Sequence, residues 1–390
     1  MFVYEIKTRL GYSLMSAELG PGLLNPLFHA VNWMCQPVVF YTGSMFAFFG
    51  ALKFRKFLVK PAVAGSMAGL GILFLLLSLL NPQFQKEATK ADNAPIWIML
   101  GITCLVMWAA FYQAVTNDER FRQGLKSVEH EAAEEKLHVW PYLVYLEGVM
   151  AAFVLALLFI WSLGLDAPLE MFANPAKSPN PAKAPWYFLG LQELLVYYDP
   201  WIAGVVLPLM IIMGMIALPY CDPNPKGVGY FTFEQRKFAI TTYLFGYVMM
   251  WLVLIFVGTF LRGQNWNFFG LYETWDPHKV IAANNINVSD IFWLKLMGVD
   301  PKSLGWFKRE IPGILILLFY FTVIPLAIKM LFKDFYQTFV TTYGKIPGTI
   351  RYMLVIIFLI VMVAVPIKMY LRWGFNLKYI VFIPEYFFNV

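Results

Sequence analysis

Charge is scarce in this sequence. Only 14% of its 390 residues are Asp, Glu, Lys or Arg, and 59% are apolar, whereas a soluble domain carries about 25% charged residues. An ordinary water-soluble domain is excluded, and the bilayer is the solvent for most of the chain. Histidine is nearly absent as well: His29, His130, His138 and His278 are the only four. A haem held by two axial histidines between membrane helices needs them inside the spans. No long apolar run contains one, and His29 falls just before the first. The chain by itself is therefore expected to hold no b-type haem. Cys35, Cys104 and Cys221 form no CxxC or CxxCH pattern, which excludes c-type haem attachment and the usual zinc spacings. Cys35 and Cys104 lie in apolar runs and read as small core side chains. Residues 1–28 offer no apolar h-region of a cleavable signal. The net charge of +6 is modest, and no basic tract points to nucleic acid.

Long apolar runs are what the chain has in abundance. Eight reach the roughly 20 residues needed to cross a bilayer: Asn32–Leu52, Pro61–Leu80, Ala94–Val115, Tyr142–Gly164, Trp201–Tyr220, Phe238–Leu261, Ile311–Leu331 and Arg351–Tyr370. The first is the weakest, with Asn32, Gln36 and Pro37 at its start. The fold expected is an all-α integral membrane protein of about eight transmembrane helices, with both termini on one side. The loops after the first, third, fifth and seventh spans hold half of the 30 Lys and Arg in roughly 70 residues, about twice the density of the opposite side. By the positive-inside rule those loops are cytoplasmic, and both termini and the long 262–310 loop are expected to be periplasmic, in a bacterial inner membrane.

The chain divides into an N-terminal three-span region (1–115), a polar connector (116–141), a three-span module (142–261), an aromatic loop (262–310) and two last spans with a tail (311–390). The connector, with EHEAAEEK at Glu129–Lys136, reads as a solvated helix whose His130 and His138 are not metal ligands; no metal site is expected. An ionisable residue inside a span is a functional candidate by default. Glu147, a few residues into the fourth span, is the clearest, as a carboxylate for proton uptake on the cytoplasmic side or as one that merely reaches the interface.

Within the module, Asn174–Trp201 is the most distinctive stretch. It opens with NPAK twice, at Asn174–Lys177 and Asn180–Lys183; proline lacks an N–H and biases the residue before it to extended geometry. Trp186–Tyr198 then reads as a helix of about three turns at the membrane interface. Glu193 follows Trp186 by seven residues and so lies on nearly the same face. Two roles are open to it: a partly desolvated base, or an interfacial partner of Lys177 or Lys183.

The segment Tyr142–Leu261 resembles the C-terminal region of cytochrome b and the separate subunit IV of cytochrome b6f-type complexes. Pro185-Trp186-Tyr187-Phe188-Leu189, Asp199-Pro200, Ala217–Pro225 (ALPYCDPNP) and Phe231–Ile240 carry the resemblance, over about 120 of the 390 residues. It implies a subunit of a bc-type quinol:cytochrome c oxidoreductase. Such a subunit forms part of the positive-side quinol oxidation site, where Pro185, Trp186, Tyr187, Phe188 and Glu193 would bind quinol and Glu193 and Tyr187 would act in catalysis. The partners implied are a haem-carrying cytochrome b6-like subunit, a Rieske iron–sulfur protein and a c-type cytochrome, in a dimeric complex. Haem b is expected in that partner and quinone in a site shared with it. The chain departs from the family motif Pro-Glu-Trp-Tyr: Pro185 stands at the glutamate position and Ala184 at the proline position. A carboxylate partly buried among aromatic rings can shuttle a proton near neutrality, which turns attention to Glu193. Two other readings compete: a non-redox membrane scaffold and, with no inverted repeat in its favour, a transporter.

Overall fold

The computed structural model describes residues 25–133, 138–165, 172–224, 231–279, 281, 285–386 and 388–390. Residues 1–24, Glu134–Lys136 of the connector and Pro225 of the ALPYCDPNP segment lie outside them. The protein is an all-α integral membrane protein. Among the described residues seven helices are long and apolar enough to cross a membrane, and an eighth span forms if one bent pair is counted.

That bent pair is α1 (Asn25–Met34) and α2 (Pro37–Lys53), whose axes differ by 82°. The run expected as one straight span from Asn32 is therefore broken. Gln36 is extended, at φ −59° and ψ 138°, ahead of Pro37, because a residue before proline is pushed out of the helical region. His29 sits in α1 and is exposed, so it belongs to the short arm of the first span rather than preceding it. The spans that follow are α3 (Pro61–Ser78), the Ala91–Arg122 helix with its regular part α5 (Ala94–Arg122), and α7 (Val139–Gly164). Short helices α4 (Pro82–Ala88) and α6 (Val128–Ala132) lie between them. Among the described residues of the connector, Thr116–Arg122 continues α5 and Val128–Ala132 forms the single turn of α6, capped by the Ser127 hydroxyl, which accepts from the His130 N–H at 3.2 Å.

The short interfacial helix α8 (Leu189–Leu194) is led in by one 3-10 turn, Trp186–Phe188. It ends about a turn earlier than expected. Spans α9 (Ile202–Cys221), α10 (Lys237–Leu261), α11 (Trp306–Leu331) and α13 (Lys345–Phe375) complete the membrane part, with amphipathic α12 (Lys333–Tyr343) folded against α13. Among the described residues two minimal sheets form: β1 (Ile286–Asn287) runs parallel to β2 (Leu377–Tyr379), and β3 (Phe382–Ile383) antiparallel to β4 (Phe388–Asn389).

Span α10 is the centre of the molecule and is buried along more of its length than any other span. On one flank Phe245, Met249 and Leu254 pack with Tyr41 and Phe48 of α2, Tyr197 and Tyr198 after α8, and Val365 and Met369 of α13. On the other, Ile255, Val257 and Phe260 pack with Cys35, Phe84 of α4 and Ile96 of α5. Cys35 and Cys221 are buried, but Cys104 is exposed, because its part of α5, with Ile102, Leu105 and Val106, faces outward.

The loops sort onto two ends of the bundle. At the basic end, Arg55 pairs with Glu234 and stacks 3.9 Å from the Phe233 ring centroid. Buried Asn117 donates to Glu129 Oε2 at 2.7 Å and to the Phe231 carbonyl at 2.8 Å, and accepts from the Val128 N–H at 3.0 Å. The connector is thus tied to the loop after α9. At the other end, which is rich in aromatic side chains, Asn32 accepts from the Tyr272 N–H at 2.9 Å and the Ser78 and Tyr272 hydroxyls meet at 2.6 Å. Glu310, fully buried at the start of α11, takes Arg309 at 2.8 Å and the Phe382 N–H at 2.9 Å.

Candidate functional site

The proline-rich segment is irregular, with a turn closed by the Lys177 N–H on the Asn174 carbonyl at 3.1 Å, and side chains hold it in place. Gln192 of α8 folds back on it: its Oε1 accepts from the Ala184 N–H and its Nε2 donates to the Ala182 carbonyl, both at 2.8 Å. Asn180 and Asn265 exchange two hydrogen bonds, at 2.9 and 2.7 Å. Lys183 donates to the Thr259 carbonyl at 2.7 Å and lies 4.6 Å from the Trp275 ring centroid. Thr259 is in the last turn of α10, where carbonyls have no intrahelical partner. Burial pushes the Lys183 ammonium down to about 7; Lys90 and Arg262 add to the depression, and Glu87 and Glu193 oppose it.

α8 lies directly on α10. A Cβ on Gly258 would come within 3.2 Å of the Leu189 carbonyl, so this glycine lets the backbones approach, whereas one on Gly190 would make ordinary contact, 3.5 Å from the Trp251 carbonyl. Trp186 turns inward and is half-buried among the side chains around Phe260. Tyr187 and Phe188 turn outward and are exposed. The Tyr187 ring meets Phe188 at 5.3 Å and Trp251 at 5.2 Å, and the Trp251 indole donates to the Tyr187 carbonyl at 3.4 Å. Below Trp251 come Tyr247 at 5.4 Å and Tyr243 at 6.4 Å from Tyr247. The rings form one column from Phe188 down α10, about two helical turns deep below Trp251. Tyr243, Tyr247 and Trp251 recur every fourth residue, a spacing visible in the sequence itself.

Glu193 is fully buried. Its Oε1 accepts from Arg262 Nη2 at 2.6 Å and from the Tyr197 hydroxyl at 2.7 Å, and its Oε2 from Arg262 Nε at 2.9 Å and from the Trp266 indole at 3.1 Å. Its ion-pair partner is thus neither Lys177 nor Lys183 but Arg262, at the end of α10. Burial first, then the Glu193 charge, hold the Tyr197 hydroxyl well above the usual tyrosine range, so tyrosine keeps its proton and donates. Arg262 also donates to the Trp266 carbonyl at 2.6 Å and stacks 3.7 Å from the Phe268 ring centroid. The turn it holds is unusual: Asn265 and Trp266 both have φ of +56°, a left-handed conformation uncommon for a bulky side chain. Four donors meet the two Glu193 oxygens, which join α8 to the 262–266 turn.

The remaining candidates are apart from this group. Pro185 precedes the 3-10 turn in extended geometry and supplies no titratable atom. Asp199 caps the chain ahead of α9, accepting from the Trp201 N–H at 3.1 Å, and its other oxygen accepts from Asn389 at 3.1 Å. Glu147 is exposed on α7. Among the described residues no group of three or more His, Cys, Asp or Glu is placed to hold a metal ion.

No protein-family model matches this chain, and searches of curated proteins and of solved structures find no match either.

Proposed function

We propose that the chain is the membrane subunit of a quinol:cytochrome c oxidoreductase, contributing one wall of a quinol oxidation site that a haem-carrying, cytochrome b6-like partner completes. A Rieske iron–sulfur protein and a c-type cytochrome would take the electrons in a dimeric complex. One observation carries the reading: the ring column from Tyr243 through Tyr247, Trp251 and Tyr187 to Phe188, exposed at Tyr243, Tyr187 and Phe188 and half-buried at Tyr247 and Trp251. It starts among lipid-facing residues of α10 and ends at the interfacial Pro185-Trp186-Tyr187 turn. A quinol is a flat ring on an apolar tail, and such a column offers it edge and face contacts along its route. Haem b would sit in the partner, in keeping with the shortage of histidine.

In this reading Tyr187 and Phe188 line the ring-binding end, Trp186 anchors the turn, and Glu193 fixes α8 rather than accepting the proton. The basic end of the bundle then faces the cytoplasm, on its density of Lys and Arg, and the quinol site faces the periplasm. The scaffold reading draws on a single observation: Pro185 carries no carboxylate, and the one on Glu193 is fully occupied. Purification of the native complex decides between them. Co-purifying b-type haem and an iron–sulfur paramagnetic signal, with a Tyr187→Ala chain that assembles but oxidises quinol at least tenfold more slowly, is the expected result. A complex with neither centre overturns the proposal.

A further inference from the structure

At the basic end the chain leaves α2 at Lys53 and enters α3 at Pro61. Residues 54–60, which include the single turn Arg55–Leu58, join the two spans too briefly to leave the bilayer surface. The inner side of this hairpin is pinned. Leu52 and Val59 are buried, and the Val59 carbonyl accepts from the Trp108 indole of α5 at 3.2 Å. Arg55 also turns inward: besides its pairing with Glu234 and its stacking on Phe233, it donates to the Leu52 carbonyl at 3.0 Å. The outer side consists of Lys53, Phe54, Lys56, Phe57 and Lys60, all exposed.

The three lysines differ from the cations beside them. Arg120 pairs with Glu131, Arg122 with Glu119, Arg236 with Asp222 and Lys237 with Glu234. Among the described residues Lys53, Lys56 and Lys60 have no carboxylate partner. Lys53 and Lys60 meet only a neighbouring ring, 5.7 Å from the Phe54 centroid and 5.8 Å from the Phe57 centroid. A fixed hairpin thus presents three uncompensated ammonium groups and two uncovered phenyl rings on one side, at the level where spans enter the membrane.

We infer that this side of the α2–α3 hairpin binds the headgroup of an anionic phospholipid. The lysine stems run along apolar surface while their ammonium groups stay at phosphate depth, and the rings of Phe54 and Phe57 enter the acyl boundary. A zwitterionic headgroup brings its own cation against the lysines and gains less. An acidic protein segment would meet the lysines but leave the two rings without an apolar partner. Each lysine near an anionic lipid surface contributes about fivefold in affinity, so the three together give a preference on the order of a hundredfold. The inference depends neither on quinol chemistry nor on which end of the bundle faces the cytoplasm.

The test titrates the full chain, purified in detergent, with phosphatidylglycerol or phosphatidylcholine, and counts retained lipid by native mass spectrometry. The parent chain should bind phosphatidylglycerol at least tenfold more tightly. Lys53→Gln, Lys56→Gln and Lys60→Gln together should bring it down to the affinity for phosphatidylcholine, which itself stays unchanged, and the corresponding triple arginine variant should keep the preference. Lys295→Gln, Lys302→Gln and Lys308→Gln together remove the same charge from exposed positions elsewhere and should leave the preference intact. Equal affinity of the parent for the two lipids, or an equal loss in the two glutamine variants, overturns the inference. Displacement of the lipid by inorganic phosphate would mark a free-anion site and overturn it as well. So would zero-length crosslinks, formed in native membranes, from these lysines to carboxylates of another polypeptide.

Discussion

Glu193→Gln separates anchoring from catalysis. The substitution keeps the side chain's size but removes its charge and one of two acceptor oxygens. Arg262, itself buried, would then keep the Trp266 carbonyl and the Phe268 ring but lose its counter-ion. Breaking a buried pair by removing one partner costs about 3–5 kcal/mol, chiefly because an uncompensated charge stays behind. The indole of Trp266 and the hydroxyl of Tyr197 also lose a charged acceptor, and such hydrogen bonds contribute about 1.5–3 kcal/mol each before compensation. The losses overlap, since they share one carboxylate, so about 3–5 kcal/mol is the working figure. The assay is denaturation of the purified chain in detergent or bilayer discs, beside quinol oxidation per assembled complex. Glu193→Gln should unfold much earlier, and turnover per surviving complex should stay within about twofold. Arg262→Gln should behave alike. The double variant should be less destabilised than the two losses added together, because replacing both charges leaves neither stranded. A Glu193→Gln chain with parental stability and a tenfold loss of turnover would refute this, and would make Glu193 a base after all.

Three further outcomes follow from the same geometry. Gly313 of α11 lies so close to the Ile380 carbonyl that a Cβ cannot fit without moving backbone; Gly313→Ala should loosen the 376–390 segment, seen as faster amide exchange at Ile380 and Phe382, with α3 and α5 unaffected. Lys183 has a folded-state pKa of about 7 against about 10.4 unfolded. The unfolded chain therefore binds more protons between these values, and stability should rise with pH across that window; Lys183→Met should flatten the rise, read as thermal midpoints from pH 7 to 10. Single cysteines on a cysteine-free background should label from outside the cell at Ser178 and be protected at exposed Lys126, beside the buried Ser127; the reverse pattern would invert the topology.

The membrane spans were legible because each is a contiguous apolar run, and contiguity survives translation into one dimension. The break in the first was marked by Gln36-Pro37, a local rule about proline. The helix after Trp186 ended at Leu194 rather than Tyr198 because Tyr197 and Tyr198 turn in to the core, which is a tertiary demand. The partner of Glu193 was hidden for the same reason. Arg262 lies 69 residues away, and nothing local pairs them; the only hint was an arginine directly at the end of a span. The Tyr243–Tyr247–Trp251 spacing was in plain view, yet a ring every fourth residue in an apolar run is ordinary until the fold brings it against Tyr187. The exposure of Cys104 likewise depends on which face of α5 finds neighbours.

The bonds between distant loops at the aromatic end also set a schedule. Asp199 finds Asn389 only across 190 residues of sequence. At about 5–20 residues per second of synthesis, that is a wait of roughly 10–40 s. Glu193 and Arg262, separated by 69 residues, meet in about a third of that time. During biogenesis the turn at Trp186 is therefore braced well before its neighbour at Asp199 is closed. A nascent chain in this interval would present α9 with one end unlatched to the insertion machinery, so the last spans enter beside a half-built platform rather than a finished one.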